Sequence, residues 1–280
     1  MLAPDYHVSD DWMRSSRSLI DAQLERLLRA DRASTVTEAM RYSVLAPGKR
    51  IRPLLTLAVA EYLGARPEGL LHVACSIEMI HAASLVLDDL PCMDNDHQRR
   101  QRPSTHAAFG EDVSILAAIS LLMKSYCILA SHAAVPQATR LQLIELLCDT
   151  IGANGLSLGQ YIDLSVKTQA VNAGAIADVH HLKTGVLFIA AAKAGCLLCD
   201  ATPEQSARIE RFTTCIGLAF QLMDDLQDVA DTGLNLAARI GRSNAERQFR
   251  EHLREAEKAI DGERNSAVLK DFLHAVFNRT

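Results

Sequence analysis

The 280-residue sequence predicts an all-α fold, and its composition is the first reason. Apolar residues make up 49% of the chain and aromatic residues only 5%, with Leu and Ala dominant. Alternating β-branched runs are scarce, and apolar residues recur at helical spacing instead. No repeat, low-complexity tract or linker divides the chain. We therefore expect a single helical domain over residues 1–280, with a large apolar core.

Apolar periodicity and helix-stop residues set the elements in order. Two glycine- or proline-containing stretches, 46–48 and 64–67, end predicted helices. Residues 103–109 are expected to form a connector, and residues 152–164 a small-residue segment with close backbone packing. The predicted helices are 10–29, 35–45, 54–63, 68–87, 111–134, 136–151, 186–198, a long helix from 202 to 228, a stretch ending near 259, and 266–277.

The net charge and the cysteines indicate which partners the protein can bind and which compartment it occupies. The net charge of −5 argues against a nucleic-acid partner. The seven cysteines are scattered and odd in number, which is typical of reduced thiols in a cytoplasmic protein. Cys196 and Cys199 have the spacing of a zinc or redox pair, but without a second pair we expect core thiols. The N-terminus lacks signal-peptide features, and the longest apolar runs, about 10 residues, fall short of the ~18 that span a bilayer. The sequence therefore predicts a protein that does not cross a membrane.

An acidic cluster follows the predicted helix 68–87. Asp88 and Asp89 end that apolar segment, Pro91 excludes a regular helix beyond it, and Asp94 follows. Carboxylates at the end of an apolar helix are costly unless a cation lies among them, and residues 67–87 contain no Lys or Arg. Mg²⁺ is the simplest candidate, because it prefers oxygen ligands and often binds phosphates as well. Arg99 and Arg100 suit such phosphates.

A second acidic cluster lies in the long helix predicted from residue 202. Asp224 and Asp228 are four residues apart and so share one helical face, where like charges repel. A bridging cation would relieve the repulsion, and in a helical bundle this cluster can face the first one. Two basic segments accompany the clusters. Lys49 and Arg52 lie at a helix N-terminus, which indicates an anion site or a solvated loop, and Lys183-Thr184-Gly185 suits a phosphate contact.

Five segments in this order resemble the trans-polyprenyl diphosphate synthases, and most closely the geranylgeranyl diphosphate synthases of bacteria and plants. The likeness covers nearly the whole chain and implies head-to-tail prenyl transfer on a helical bundle of the isoprenoid synthase type, in a homodimer. The segments are Gly48-Lys-Arg-Ile-Arg-Pro53, Asp88-Asp-Leu-Pro-Cys-Met-Asp94 with Arg99-Arg100, Gly159-Gln160-x-x-Asp163-Leu164, Lys183-Thr184-Gly185 and Gln221-x-x-Asp224-Asp225-x-x-Asp228.

The resemblance implies a role for each matched residue. Three Mg²⁺ ions are expected, with Asp88 and Asp94 as ligands beside Asp89, and Asp224 as the ligand of the third ion near Asp228. Thr184 and Gln221 are expected to stabilise the allylic cation. The residues expected to hold the allylic diphosphate are Arg99, Lys183 and Gln221. Those expected to hold the diphosphate of isopentenyl diphosphate are Lys49, Arg52, His81 and Arg100.

Product length is expected to depend on the helix that precedes Asp88. Ala83 and Ser84 stand five and four residues before it, where family members that stop at fifteen carbons commonly carry an aromatic ring. Small residues here, with the insertion Pro91-Cys92, resemble enzymes that make the twenty-carbon product. Geranylgeranyl diphosphate is therefore the expected product, with farnesyl or longer diphosphates as the alternative.

One departure from the family pattern keeps other functions open. Family members usually follow the second acidic motif with a glycine-rich loop that carries a lysine. Here no Lys or Arg lies between Asp228 and Arg239. The chain can thus also be interpreted as a non-catalytic regulatory subunit of a heteromeric synthase. A terpene cyclase is a further alternative, although the basic residues expected to hold isopentenyl diphosphate argue against it.

Overall fold

The computed structural model describes residues 10–29, 32–166, 173–227 and 235–277, which form α-helices, one π-helical turn and one short antiparallel hairpin. This confirms the predicted all-α fold. The helices are α1 (Asp10–Leu27), α2 (Thr35–Val44), α3 (Ile51–Tyr62), α4 (Leu70–Asp88), α5 (Thr105–Phe109), α6 (Glu111–Ser131), α7 (Gln137–Ile151), α8 (Leu156–Val166), α9 (Ala173–His180), α10 (Val186–Leu198), α11 (Pro203–Gln227), α12 (Leu236–Ile240), α13 (Arg242–Ile260) and α14 (Ser266–Phe277). The hairpin pairs β1 (Gln98–Arg99) with β2 (Arg102–Pro103), and the π-helical turn is His181–Gly185.

The described chain divides into two compact units that interleave along the sequence. The first unit comprises residues 11–57 and 68–144, and the second comprises residue 10 together with 58–67 and 145 onward. We call them the N-terminal unit and the C-terminal unit. That the whole chain is one domain stays a prediction.

Helix α4 is the centre of the N-terminal unit, where it packs against α6 and α2. Its sequence is apolar on every side, which is typical of a helix buried by neighbours all round. Ile77 and Met79, for example, have no exposed surface. Burial of each such side chain contributes roughly 1.5–3 kcal/mol, so this helix is a rigid support for whatever its C-terminal end carries.

Helix α11 plays the same part in the C-terminal unit, packing against α13 and α10. The core of this unit contains three phenylalanines without exposed surface, Phe188, Phe212 and Phe272. The short helix α12 packs through Ala237 against Leu222 near the end of α11. Asp224 and Asp225 of the second acidic motif therefore lie on a helix that is packed against its neighbours.

The structure contains elements that the sequence did not predict, among them β1 and α12. Residues 103–109 contain β2 and α5, residues 152–164 contain α8, and the residues before 186 form α9 and the π-helical turn. In residues 152–164, where close backbone packing was predicted, Gly159 lies within α8. A Cβ at Gly159 would come within 2.7 Å of the Leu182 side chain, so this glycine permits close packing instead of ending a helix.

Three described helices are long and apolar enough to cross a membrane by length and composition, which corrects the estimate from unbroken apolar runs. They are Leu70–Asp88, Glu111–Ser131 and Ile176–Leu198, with mean hydropathies of 1.7, 2.0 and 1.3. Single polar or charged residues, such as Glu78 and Lys124, interrupt the runs but leave the mean hydropathy of each segment high, so counting unbroken runs underestimated these segments. Between 39% and 61% of each is buried within the protein, as core helices also are. That the chain does not span a membrane stays a prediction.

Candidate active site

The first acidic motif forms a tight turn at the C-terminal end of α4. Asp88 is the last residue of α4, and Pro91 is followed by a reversal of the chain. The reversal is held by backbone hydrogen bonds from Asp94 N–H to the Asp88 carbonyl at 2.9 Å and from Met93 N–H to the Leu90 carbonyl at 2.8 Å. Both Asp88 and Asp94 are partly buried. The predicted irregular segment therefore brings the backbones of these two aspartates together.

Asp89 is buried and forms an ion pair with Arg99. Only 2% of Asp89 is exposed, and Arg99 donates from Nε to its Oδ1 at 3.0 Å and from Nη2 to the same oxygen. Burial raises the pKa of Asp89, while Arg99 opposes that rise. Arg99 also reaches Asp96 at 3.4 Å. The expected metal ligand Asp89 and the expected diphosphate ligand Arg99 are thus bound to each other here, and they join the hairpin to the end of α4.

The hairpin turn places Arg100 against the loop before α3. Both turn residues, Arg100 and Gln101, have positive φ angles of 53° and 63°, as a two-residue turn between twisted strands requires. Arg100 donates from Nη1 to the Pro47 carbonyl at 3.1 Å. A Cβ on Gly48 would lie 2.6 Å from that same nitrogen, so a larger residue at position 48 would require the Arg100 guanidinium to shift.

Arg52 and His81 form the inner part of the expected isopentenyl diphosphate site. Arg52 Nη1 lies 3.2 Å from His81 Nε2, and because a guanidinium only donates, His81 accepts. Burial, followed by repulsion from Arg52 and Arg100, holds the pKa of His81 well below its usual range. His81 is therefore neutral at physiological pH. Lys49, in the loop just before α3, is exposed to solvent.

The C-terminal unit places two of the residues expected to hold the allylic diphosphate, Lys183 and Gln221, at or beside the π-helical turn, whereas Arg99 belongs to the N-terminal unit. Such turns are rare and frequently occur at functional sites. Lys183 in the turn pairs with Asp163 of α8. Thr184 donates its hydroxyl to Gln221 Oε1 at 3.3 Å, and Gln221 in turn donates to Asp225 Oδ1 at 3.0 Å.

Asp225 in the second acidic motif supports the fold of the segment that follows. It is buried, and its Oδ2 accepts the backbone N–H of Leu236 at 2.8 Å. Asn235 donates to the Asp225 carbonyl at 2.8 Å and caps α12 through its side-chain oxygen. Asp224 is partly buried on the adjacent face. The predicted ligand Asp228 lies outside the described residues.

The two residues expected to limit product length lie in the same α4 helix as His81. Ala83 has no exposed surface, and Ser84 is partly buried with its hydroxyl donating to the His81 carbonyl at 2.9 Å. A larger side chain at position 83 would therefore have to displace its neighbours.

The sequence interpretation missed two groups that the structure shows beside the basic cluster. Arg50 and Glu78 form a buried ion pair at 2.9 Å. Glu78 is an acidic residue inside an apolar helix, three residues before His81 and so on the same face, and that pattern was a usable signal. Among the residues that the structure describes, no group of three or more His, Cys, Asp or Glu side chains is arranged to hold a metal ion. The two acidic motifs lie in different units.

The predicted core thiols Cys196 and Cys199 are free, like the other five cysteines. Burial raises the pKa of Cys196 to about 12 and that of Cys199 to about 11. Both therefore remain protonated at neutral pH, which disfavours the thiolate chemistry that a zinc or redox pair needs.

Comparison with known proteins agrees with the motifs. A family model described as polyprenyl synthetase matches residues 33–243. A geranylgeranyl diphosphate synthase of Pantoea ananas is 37% identical over 98% of this chain and 95% of its own length. A chloroplastic geranylgeranyl pyrophosphate synthase of Arabidopsis thaliana is also 37% identical, over 82% of this chain and 67% of its own.

Solved structures are similar as well. A crystal structure of an FPP/GFPP synthase from Zymomonas mobilis superposes with a TM-score of 0.89 at 31% identity, covering 95% of this chain and 98% of that one. The resemblance inferred from five motifs is confirmed: the chain belongs to the polyprenyl synthetase family.

Proposed function

We propose that this protein is a trans-prenyltransferase that condenses isopentenyl diphosphate with an allylic diphosphate, with geranylgeranyl diphosphate as its main product. The observation that carries the proposal is that the N-terminal unit contains two kinds of site, one acidic and one basic. The turn from Asp88 to Asp94 supplies carboxylates, while the cations Arg52 and Arg100, with the neutral donor-acceptor His81, form a cluster suited to a diphosphate. A reaction between two diphosphates needs both. Relatives named geranylgeranyl diphosphate synthase, at 37% identity, support the product.

The residues fit Mg²⁺ as cofactor. Asp88 and Asp94 offer hard oxygen donors whose backbones are held together by the 2.9 Å hydrogen bond between them. Asp224 and Asp228 are the candidate ligands on the second motif, and three ions per site are inferred from the family. Bound Mg²⁺ would neutralise the diphosphate leaving group and favour its ionisation. Asp89 takes part by orienting Arg99.

The chain's own residues bind, orient and stabilise the two substrates. Arg99, Lys183 and Gln221 hold the allylic diphosphate, and Lys49, Arg52, His81 and Arg100 hold isopentenyl diphosphate. Once the allylic carbon–oxygen bond breaks, the cation is stabilised by the dipoles of Thr184 and Gln221, which are joined at 3.3 Å. The double bond of isopentenyl diphosphate attacks that carbon. The proton then lost is accepted by the released diphosphate.

We further propose that the protein works as a homodimer in the cytoplasm. One stripe of α6 is apolar yet exposed, with exposed fractions between 41% and 58%; it comprises Ile115, Leu116, Ile119 and Met123. Exposed apolar patches of this kind mark interaction sites. A second copy of the chain is the occupant that the family resemblance favours.

Two other functions have specific support. A farnesyl or longer-chain synthase is favoured by the similarity to the Zymomonas mobilis FPP/GFPP synthase. A regulatory subunit is favoured by the absence of Lys and Arg between residues 228 and 239 in the sequence. Against the regulatory subunit, the acidic residues Asp88, Asp94 and Asp224 are all retained, although a protein freed from catalysis does not need them.

One assay separates these functions. Purified protein is incubated with labelled isopentenyl diphosphate, an allylic diphosphate of five, ten or fifteen carbons and Mg²⁺, and the products are resolved by chain length. We expect Mg²⁺-dependent synthesis of the twenty-carbon product. A fifteen- or twenty-five-carbon product supports the second candidate, and no product without a partner subunit supports the third.

The same assay tests the carboxylates. Asp88→Ala and Asp224→Ala are each expected to lower turnover by about a hundredfold or more, because the charge of the leaving diphosphate is then poorly neutralised. Asp149→Ala, at an exposed position on α7, is the matched control and should retain wild-type turnover. Near-normal Mg²⁺-dependent synthesis by either motif variant would contradict the assignment.

A further inference from the structure

We propose that Arg50 and Glu78, neither of which contacts substrate, are positioning residues for the isopentenyl diphosphate site. Their ion pair fixes the start of α3 against α4 and thereby preorganises Lys49, Arg52 and Arg100. The inference deepens the proposed function and rests on it for the identity of the ligand.

Arg50 is held by three acceptors at once. Its Nε donates to Asp21 Oδ1 at 2.7 Å, its Nη1 to Glu78 Oε1 at 2.9 Å, and its Nη2 to the Ala46 carbonyl at 3.1 Å. The side chain is 3% exposed and that of Glu78 is 4% exposed, whereas that of Asp21 is 47% exposed. Burial alone would lower the pKa of Arg50, but Glu78 and Asp21 together hold it above its usual value. The guanidinium therefore stays charged and oriented.

This anchor determines the backbone from which α3 starts. Arg50 has a φ of 52°, in the left-handed region that non-glycine residues rarely adopt. Ile51, the next residue, is the first of α3. A strained conformation persists only when its surroundings hold it, and here the three acceptors of the Arg50 side chain do so. Lys49 and Arg52 lie on either side of this point.

Two contacts three residues apart on α4 fix α3 in place. Glu78 binds Arg50, and His81, on the same face, accepts from Arg52 at 3.2 Å. The third cation joins the same frame, because Arg100 Nη1 and Arg50 Nη2 both reach the Ala46 carbonyl, at 3.5 and 3.1 Å.

Glu78 also supplies charge. Burial is the main cause that lowers the pKa of Arg100, and repulsion from Arg50 and Arg99 adds to it, while Glu78 opposes it. Without that carboxylate, the cations would repel one another and spread before any diphosphate arrived. Preorganisation of this kind lowers the free-energy cost of binding, so its loss should weaken isopentenyl diphosphate binding specifically.

The test compares Glu78→Gln, which keeps shape and an acceptor but removes charge, with Arg50→Lys, which keeps charge but loses the planar fork. Each is measured for isopentenyl diphosphate Kd by calorimetry, for KM of both substrates, and for Tm. We expect the Kd and KM for isopentenyl diphosphate to rise about tenfold or more, while the KM for the allylic diphosphate stays within about twofold. Asp21→Asn, at the exposed end of the network, should have a smaller effect.

Two controls separate positioning from general stability. Leu129→Ala, in the core of α6, should lower Tm without changing the Kd for isopentenyl diphosphate. The double variant Arg50→Met, Glu78→Met replaces the buried pair by apolar side chains and should recover Tm relative to Glu78→Gln, since such replacements are often tolerated. Its Kd for isopentenyl diphosphate should remain high. If the single variants do not fold, the Kd of this double variant tests the inference in their place.

The outcomes distinguish this inference from the proposed function. If the wild-type protein is active and Glu78→Gln leaves the Kd for isopentenyl diphosphate unchanged, the inference alone is overturned. It is also overturned if Leu129→Ala raises that Kd as much as Glu78→Gln does. Wild-type protein that binds isopentenyl diphosphate but makes no product overturns the proposed function alone, provided that Glu78→Gln weakens the binding. Wild-type protein that binds no isopentenyl diphosphate overturns both.

Discussion

At the scale of single residues, charges inside this protein occur as partnered groups. Three examples among the described residues are Asp89 with Arg99, Lys183 with Asp163 and Arg50 with Glu78, and each joins two different segments of the chain. Breaking such a pair is costly because the remaining charge stays buried, so the partners act as fixed joints. The sequence identified the candidate substrate-binding residues but not the residues that hold them, since the pairing partners lie 10 to 28 positions apart in the chain.

Position 83 gives a prediction about product length. Replacing Ala83 by Val, Leu and Phe in turn should shorten the main product progressively, because each side chain takes more of the space expected to receive the growing chain. Ala83 has no exposed surface, so overpacking should also lower stability by about 1–3 kcal/mol in the larger variants. Chain lengths are read by chromatography of the dephosphorylated products, with Tm measured alongside.

The control for this series is Ala118, which is equally buried but lies on α6. Ala118→Leu should lower Tm without a change in chain length. Folded, active Ala83 variants with wild-type product lengths would show that this residue does not limit the product.

At the scale of elements, the turn of the hairpin β1–β2, which contains Arg100, has a strained backbone. Gln101 occupies the second turn position with a φ of 63°, where glycine is strongly preferred in two-residue turns. A left-handed conformation costs an L-residue about 1–2 kcal/mol, partly offset by the entropy that glycine loses on folding. Gln101→Gly should therefore raise the free energy of unfolding by about 0.5–1 kcal/mol, measured by urea denaturation.

Asn95 provides the comparison, since its φ is 55° but asparagine tolerates this region. Asn95→Gly should change stability by no more than a few tenths of a kcal/mol. A loss of stability in Gln101→Gly would indicate instead that the Gln101 side chain makes a favourable contact.

Long apolar helices were predictable as elements, whereas short and irregular ones were not. The bounds of α14 match the prediction, and those of α6 differ by three residues at one end. The hairpin, the π-helical turn and α12 went unrecognised, because two to five residues provide too little periodicity to detect. Their conformations depend on contacts such as that between Asp225 and Leu236, which join distant parts of the C-terminal unit.

At the scale of the whole molecule, the exposed stripe of α6 gives a prediction about assembly. In a two-fold dimer the same stripe residue lies in the interface on each of the two copies, so one substitution changes the interface at two positions. Ile119→Glu should therefore convert the dimer to monomer at micromolar concentration, measured by light scattering after size exclusion. Ile119 is 49% exposed, and burying such a side chain contributes about 1.5–3 kcal/mol per copy.

Leu19→Glu is the matched control, because Leu19 is 57% exposed but lies on α1. It should remain dimeric. A wild-type monomer at all concentrations, or a dimer that survives Ile119→Glu, would contradict the proposed interface. Because α6 is also apolar enough to cross a membrane, flotation of the wild-type protein with phosphatidylcholine vesicles is measured in parallel and is expected to be absent.

The sequence by itself determined the helical fold, the family and which charged residues are candidates for the site. These properties are encoded locally, in apolar spacing and in short motifs such as Asp88–Asp94. Tertiary structure alone decided how those residues are held: Asp89 against Arg99, Arg52 against His81, and Arg50 against Glu78. Such pairings depend on how helices pack, and helix packing brings together positions whose separation along the chain carries no periodic signal.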